Sequence, residues 1–114
     1  MDILETTLHG VPLLTVVGAV DQAIGSQLAE ATERAMISCD HRILLDLERC
    51  AYLDSGGLNT IIGLVGRVGP LGWVGVIHCS AMVLRLLELV GLTASGSFRV
   101  FETLDEAGAA ATAI

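Results

Sequence analysis

The sequence predicts a single α/β domain, a mixed sheet of about five strands with about four helices, in which an N-terminal antiparallel hairpin is followed by parallel strands. Three observations lead there. From residue 43 onward, short apolar runs alternate with helix-length segments, the pattern of parallel strands joined by helical crossovers. Before them, two apolar stretches flank Gly10-Val11, as in a hairpin. The chain has 114 residues, 53% of them hydrophobic, which suffices for one core and makes two independent domains unexpected. With only two Phe, one Tyr and one Trp, that core is built from Leu, Ile, Val and Ala, a composition that argues against disorder.

Residues 3–9 alternate imperfectly and residues 13–17 form a compact apolar run, giving the two strands of the hairpin, the first of them an edge. Asp21 precedes a helix through about residue 37, with Ile24, Leu28, Ala31 and Ala35 as its apolar stripe and Glu30 four residues before Arg34. Residues 39–41 end it. Then come a strand over 43–47, a helix over 57–68, a strand over 73–78, a helix over 81–90, a strand over 98–101 and a helix over 104–111. The helix over 81–90 has Val83, Leu86, Leu87 and Val90 on its core face, Ser80 as its cap and Gly91 just past its end. The last helix opens with Thr103-x-x-Glu106, a capping box. Leu64, Val68, Leu84 and Leu89 fall at nominally outer helix positions. Leu64 and Val68 are candidates for a partner surface, although packing under neighbouring helices is the favoured reading.

Thirteen acidic residues against six basic ones give a formal net charge of −7, and all six basic residues are Arg. Arg34, Arg42, Arg49, Arg67, Arg85 and Arg99 are scattered, so no basic stripe exists to hold a nucleic acid backbone or an anionic membrane. The N-terminus is acidic where a signal peptide is basic, and the uncharged span over 68–84 is interrupted by Pro70, glycines and His78 and is shorter than the roughly 20 residues of a membrane helix. A cytoplasmic protein without membrane insertion is therefore expected. Cys39, Cys50 and Cys79 lack metal or disulfide spacing, and His9, His41 and His78 share no ligand spacing with one another or with acids. No cofactor or metal is expected. Buried thiols are the default, with a redox role for Cys50 and Cys79 as the alternative, since the predicted strand ends bring them near each other.

The segment Ala51-Tyr52-Leu53-Asp54-Ser55-Gly56-Gly57-Leu58-Asn59 lies between the strand over 43–47 and a helix marked by Leu58, Ile61, Ile62 and Val65 at i, i+3, i+4 and i+7. Asp54 and Ser55 thus fall at a helix N-terminus, where unpaired N–H groups and the positive end of the dipole favour an oxygen-bearing or anionic group. Ser55 is a helix cap or a phosphate carrier on this chemistry alone. A hydrolase is not expected, because Gly-x-Ser-x-Gly is absent and no His is placed to activate Ser55. The glycines over 63–72 never approach a Walker pattern and lack its lysine.

Asp54-Ser55-x-Gly57-Leu58 after an apolar strand resembles the signature of STAS-domain anti-sigma factor antagonists. The resemblance extends through Val17-Gly18-Ala19-Val20-Asp21, the strand with Asp46, the segment Leu86-Leu87-Glu88-Leu89-Val90-Gly91-Leu92, the strand over 98–101 and Thr103-Leu104-Asp105-Glu106-Ala107. It implies a STAS-like fold and no catalytic residues. It also implies a partner switch: the unphosphorylated domain captures an anti-sigma factor, a serine kinase of the histidine-kinase-like ATPase fold, and frees a sigma factor. That partner then phosphorylates the domain and releases it, and a phosphatase is a further candidate partner. Carried onto this chain, Ser55 is the phosphoacceptor, and Asp21, Asp54, Ser55, Gly56, Gly57 and Asn59 form the partner-binding set. The chain departs from the family at Gly56, where many members carry a second hydroxyl, which leaves Ser55 as the only hydroxyl of the motif. The alternative this departure favours is a non-phosphorylated STAS scaffold subunit of a cytoplasmic transporter or lipid-trafficking complex.

Overall fold

The computed structural model describes residues 2–20, 22–37, 41–53, 55–69 and 72–112. Strands β1 (Asp2–Leu8) and β2 (Val11–Val20) form the antiparallel hairpin, paired from Asp2 with Val17 to Leu8 with Val11. Its two-residue turn has His9 at φ 50° and Gly10 at φ 83°, the doubly left-handed geometry that matches strand twist. Helix α1 (Gln22–Ile37) leads to β3 (Arg42–Asp46), β4 (Cys50–Leu53) and α2 (Ser55–Val68). Then follow β5 (Trp73–Ile77), α3 (Ala81–Leu89), a single 3₁₀ turn (Leu92–Ala94), β6 (Phe98–Phe101) and α4 (Leu104–Thr112).

The main path of the sheet runs β1-β2-β3-β5-β6, with every pair after the hairpin parallel and β1 at an edge. Strand β4 stands off this path and pairs with β2. The expected five strands are thus the main path, and β4 is a sixth that periodicity did not reveal. Strand β2 is long because it serves two neighbours: Leu13 to Thr15 pair with Leu44 to Asp46 of β3, and Gly18 to Val20 pair with β4.

Helices cover both faces, which is why β3 and β5 read as unbroken apolar runs. On one face Leu28, Ala31 and Ala35 of α1, Ile61, Leu64, Val65 and Val68 of α2, and Val83 and Leu87 of α3 pack on Leu14, Val16, Ile43, Leu45, Val74 and Val76. On the other, Ala107 and Ala111 of α4 pack on Val11, Leu13, Leu44, Trp73 and Ile77. Alternation along β3 accounts for the split, since Leu44 points away from Ile43 and Leu45. Leu64 and Val68 are fully buried, so they belong to the core. Leu89 and Val90 are exposed, and Val90 is the C-cap of α3 rather than part of its core face.

The caps explain where helices start and stop. Ser80 Oγ accepts from the Val83 N–H at 3.2 Å, and Gly91 follows α3 in the left-handed region at φ 82°. Thr103 Oγ1 accepts from the Glu106 N–H at 3.1 Å. The Glu106 carboxylate reaches back one residue further than a strict box, to the Glu102 N–H at 3.0 Å. Arg34 forms an ion pair with Glu5 of β1 at 2.8 Å, tying helix to edge strand, and Glu30, four residues before it, adds to the negative field it sits in.

Each histidine sits in left-handed backbone at a strand end: His9 in the hairpin turn, His41 (φ 66°) before β3 and His78 (φ 56°) after β5. The His41 carbonyl accepts from the Trp73 N–H at 3.0 Å, and Gly72 lies directly against it.

Candidate functional site

The three-residue turn after β3 sets up the site. Asp46 Oδ1 accepts from the Glu48 N–H at 3.0 Å, the Leu47 N–H donates to the Ile77 carbonyl at 2.9 Å, and the Cys50 N–H donates to the Leu47 carbonyl at 3.1 Å. These bonds turn the chain out of β3 and into β4. Two residues after the end of β4, α2 begins at Ser55, so the hydroxyl is carried by the first helical residue. Its side chain is exposed. The first-turn N–H groups and the positive end of the helix dipole lie at the same place, and the first turn itself holds no acidic residue.

Around Ser55 the small residues have different surroundings. Gly56 is half-buried, and its carbonyl accepts from Thr60 Oγ1 at 3.0 Å. Gly57 is buried, so a partner reaches it only through its neighbours. Leu58 packs against the core while Asn59 is exposed one turn on from Ser55, so Ser55, Gly56 and Asn59 offer the reachable surface. Asp21 and Asp54 lie outside the described residues. The residues before them, Val20 and Leu53, are ladder partners in the β2–β4 pairing.

Cys50 opens β4 and is buried; Cys79 follows β5 and is half-buried against the same core cluster. Cys39 lies outside the described residues. Burial, reinforced by the neighbouring Cys50 thiol, pushes the Cys79 thiol up to about 11. Its folded value is therefore raised above the roughly 8.5 of a free thiol, so its contribution to stability is fully present below about pH 8.5 and is lost as pH rises through about 11. Two results are expected. Iodoacetamide should modify folded Cys79 at pH 8 far more slowly than it modifies the urea-unfolded chain, and urea midpoints should fall between pH 9 and 11 less steeply in Cys79→Ser than in the natural chain. Equal alkylation rates folded and unfolded would contradict this.

Among the described residues, no group of three or more His, Cys, Asp or Glu converges as a metal site, and no helix is long and apolar enough to cross a membrane. Two shallow grooves, of about 310 Å³ beside Glu5, Pro12 and Arg34 and about 370 Å³ beside His9, Leu104 and Gly108, involve no residue of the motif.

The geometry is that of a small, exposed, hydroxyl-bearing helix start at the end of a mixed sheet. A STAS-domain family model matches residues 3–107. The chain belongs to the STAS-domain family. The chain is 27% identical over 99 residues, 87% of its length and 80% of the relative's, to the anti-sigma-F factor antagonist RsfB of Mycobacterium tuberculosis. Among solved structures, an anti-sigma factor antagonist from Mycobacterium paratuberculosis superposes with a TM-score of 0.85 at 24% identity, over 98% of this chain and 94% of that one. The Bacillus cell fate determinant SpoIIAA in its phosphorylated form superposes with a TM-score of 0.74 at 16% identity, over 93% of this chain and 96% of that one. These structures establish that the STAS fold extends over nearly the whole chain.

What sequence reasoning missed is β4 and the change of partner in β2 that aligns it with the end of that strand. The available signal was Gly18-Ala19, an interruption in a strongly β-forming run whose consequence depends on a strand more than thirty residues away.

Proposed function

We propose that this STAS domain is an anti-sigma factor antagonist whose binding is controlled by phosphorylation at Ser55. It acts by binding rather than by catalysis. The observation that carries the reading is the exposed Ser55 at the start of α2, beside the β2–β4 ladder, in a chain whose relative RsfB is an anti-sigma-F factor antagonist. The partner is an anti-sigma factor of the histidine-kinase-like ATPase fold, which docks over Asp21, Asp54, Ser55, Gly56, Gly57 and Asn59 in the cytoplasm and gives up its sigma factor.

The chemistry of the switch is electrostatic. A phosphate on Ser55 adds about −1.5 to −2 charge and is itself well placed at a helix N-terminus, so it does not disturb the fold. It disturbs docking, because a partner surface that on this reading includes Asp21 and Asp54 becomes strongly anionic where a partner must exclude water. A penalty of about 2.8 kcal/mol is a hundredfold in affinity. Gly56 in place of a second hydroxyl directs transfer to Ser55, and it also supports a second reading, a non-phosphorylated scaffold within a transporter or lipid-trafficking complex.

Pull-downs from native lysate with the natural chain, Ser55→Ala and Ser55→Glu, with retained proteins identified by mass spectrometry, separate these readings. The switch requires a kinase-fold protein held by the natural chain and Ser55→Ala, with binding of the purified protein about a hundredfold weaker for Ser55→Glu. Equal retention by all three would leave Ser55 as a structural helix residue, and retention of a membrane transport protein would favour the scaffold.

A further inference from the structure

Strand β2 changes partners in mid-course, and Gly18 is where it does so. Its φ of +100° lies in the region that side chains resist, and its N–H donates at 3.0 Å to the carbonyl of Arg49, the last residue before β4. The register then slips. Gly18 pairs with Cys50, but Ala19 pairs with Tyr52 and Val20 with Leu53, so Ala51 has no counterpart. This is a bulge, with one extra residue on β4. Its effect is to advance β4 by one residue, about 3.3 Å, relative to β2. Without it Val20 would face Tyr52, and the chain would approach Ser55 one residue out of step with the end of β2. A slip by one also exchanges the faces of a strand, which would turn Leu53, buried in the core, toward the opposite side.

We infer that Gly18 is the positioning residue of the regulatory site: its left-handed conformation creates the bulge that brings Val20 level with Leu53, two residues before Ser55. The site's function as a partner surface rests on the reading above, but the geometric claim does not.

Gly10 supplies a matched control. It lies in the turn that precedes the same strand with φ +83°, and a Cβ there meets nothing within 4 Å, so Gly10→Ala introduces a similar backbone demand away from the site. On ¹⁵N-labelled protein, Gly18→Ala should lose the backbone contacts between Val20 and Leu53 and shift the Ser55 and Gly56 amides, while the Leu13–Leu44 pairing persists. Gly10→Ala should keep all of them, and Gly18→Asn, which tolerates left-handed backbone better than Ala, should recover them in part. Binding of the kinase-fold protein retained by the natural chain should fall about tenfold or more in Gly18→Ala at equal folded fraction, and stay unchanged in Gly10→Ala. An intact Val20–Leu53 ladder in Gly18→Ala would overturn the inference, as would a broken ladder with unaltered binding. If the natural chain retains no kinase-fold protein, the functional reading fails and the ladder measurement alone decides the role of Gly18.

Discussion

Truncating Leu64 to Ala is expected to destabilise the domain by about 3 to 4 kcal/mol and to leave binding by the folded fraction unchanged. Leu64 is fully buried on α2, within the cluster that joins α1, α2 and α3 to the sheet. Removing its isobutyl group deletes both the transfer free energy and the contacts of its neighbours. These neighbours cannot collapse readily, because Ile61, Val65 and Val68 of the same helix are held by that cluster too. A domain of this size has about 5 to 15 kcal/mol in total, so the loss is a large share. Urea unfolding followed by far-UV dichroism checks it: the midpoint should fall with little change in slope. A loss below about 1 kcal/mol, or a selective loss of partner binding at full stability, would return Leu64 to the surface role that its outer helical position suggested.

Gly72→Ala is expected to be at least as damaging, by more than about 3 kcal/mol, although it adds only one methyl group. A Cβ on Gly72 overlaps the His41 carbonyl, which is main chain and cannot swing aside as a side chain does. That carbonyl also accepts the Trp73 N–H, the bond at the start of the β3–β5 ladder, where Arg42 faces Trp73. His41 is itself in left-handed backbone, so the local chain has little conformational slack to yield. Gly96→Ala is the contrast: nothing stands within 4 Å of its added Cβ, and its midpoint should stay within about 0.5 kcal/mol of the natural chain. Comparable midpoints for the two variants would show that the Gly72 contact relaxes at no cost.

The parts of this fold that were legible in the sequence are those determined by nearby residues. The hairpin was legible as two apolar runs around Gly10-Val11, one residue later than the observed His9-Gly10 turn, the start of α3 from Ser80, and the start of α4 from Thr103 and Glu106, and each side-chain bond involved spans four residues or fewer. Core positions on α1 and α2 followed from the helical period, as Leu28, Ala31, Ala35, Ile61 and Val65 attest. What was not legible depends on distant partners. The four residues of β4 are too few to display a period, and their strand conformation comes from pairing with the far end of β2. The i, i+4 spacing of Glu30 and Arg34 was a local signal, whereas the ion pair of Arg34 with Glu5 of β1 depends on how the helix lies against the hairpin. At the site, the motif located Ser55 at a helix start, whereas the burial of Gly57 and the exposure of Asn59 depend on how α2 lies against the sheet.

The two-partner course of β2 has a consequence for how such a domain diversifies. The half of β2 that pairs with β3 belongs to the structural platform, flanked on both sides and packed on both faces, while the half that pairs with β4 runs beside the strand that leads to Ser55. Changes at that end therefore draw little on the interactions that keep the platform folded, and their effects on stability should combine with those of platform changes nearly independently. A helix start attached in this way, such as Ser55-Gly56, can change its residues while the platform that displays it is kept intact.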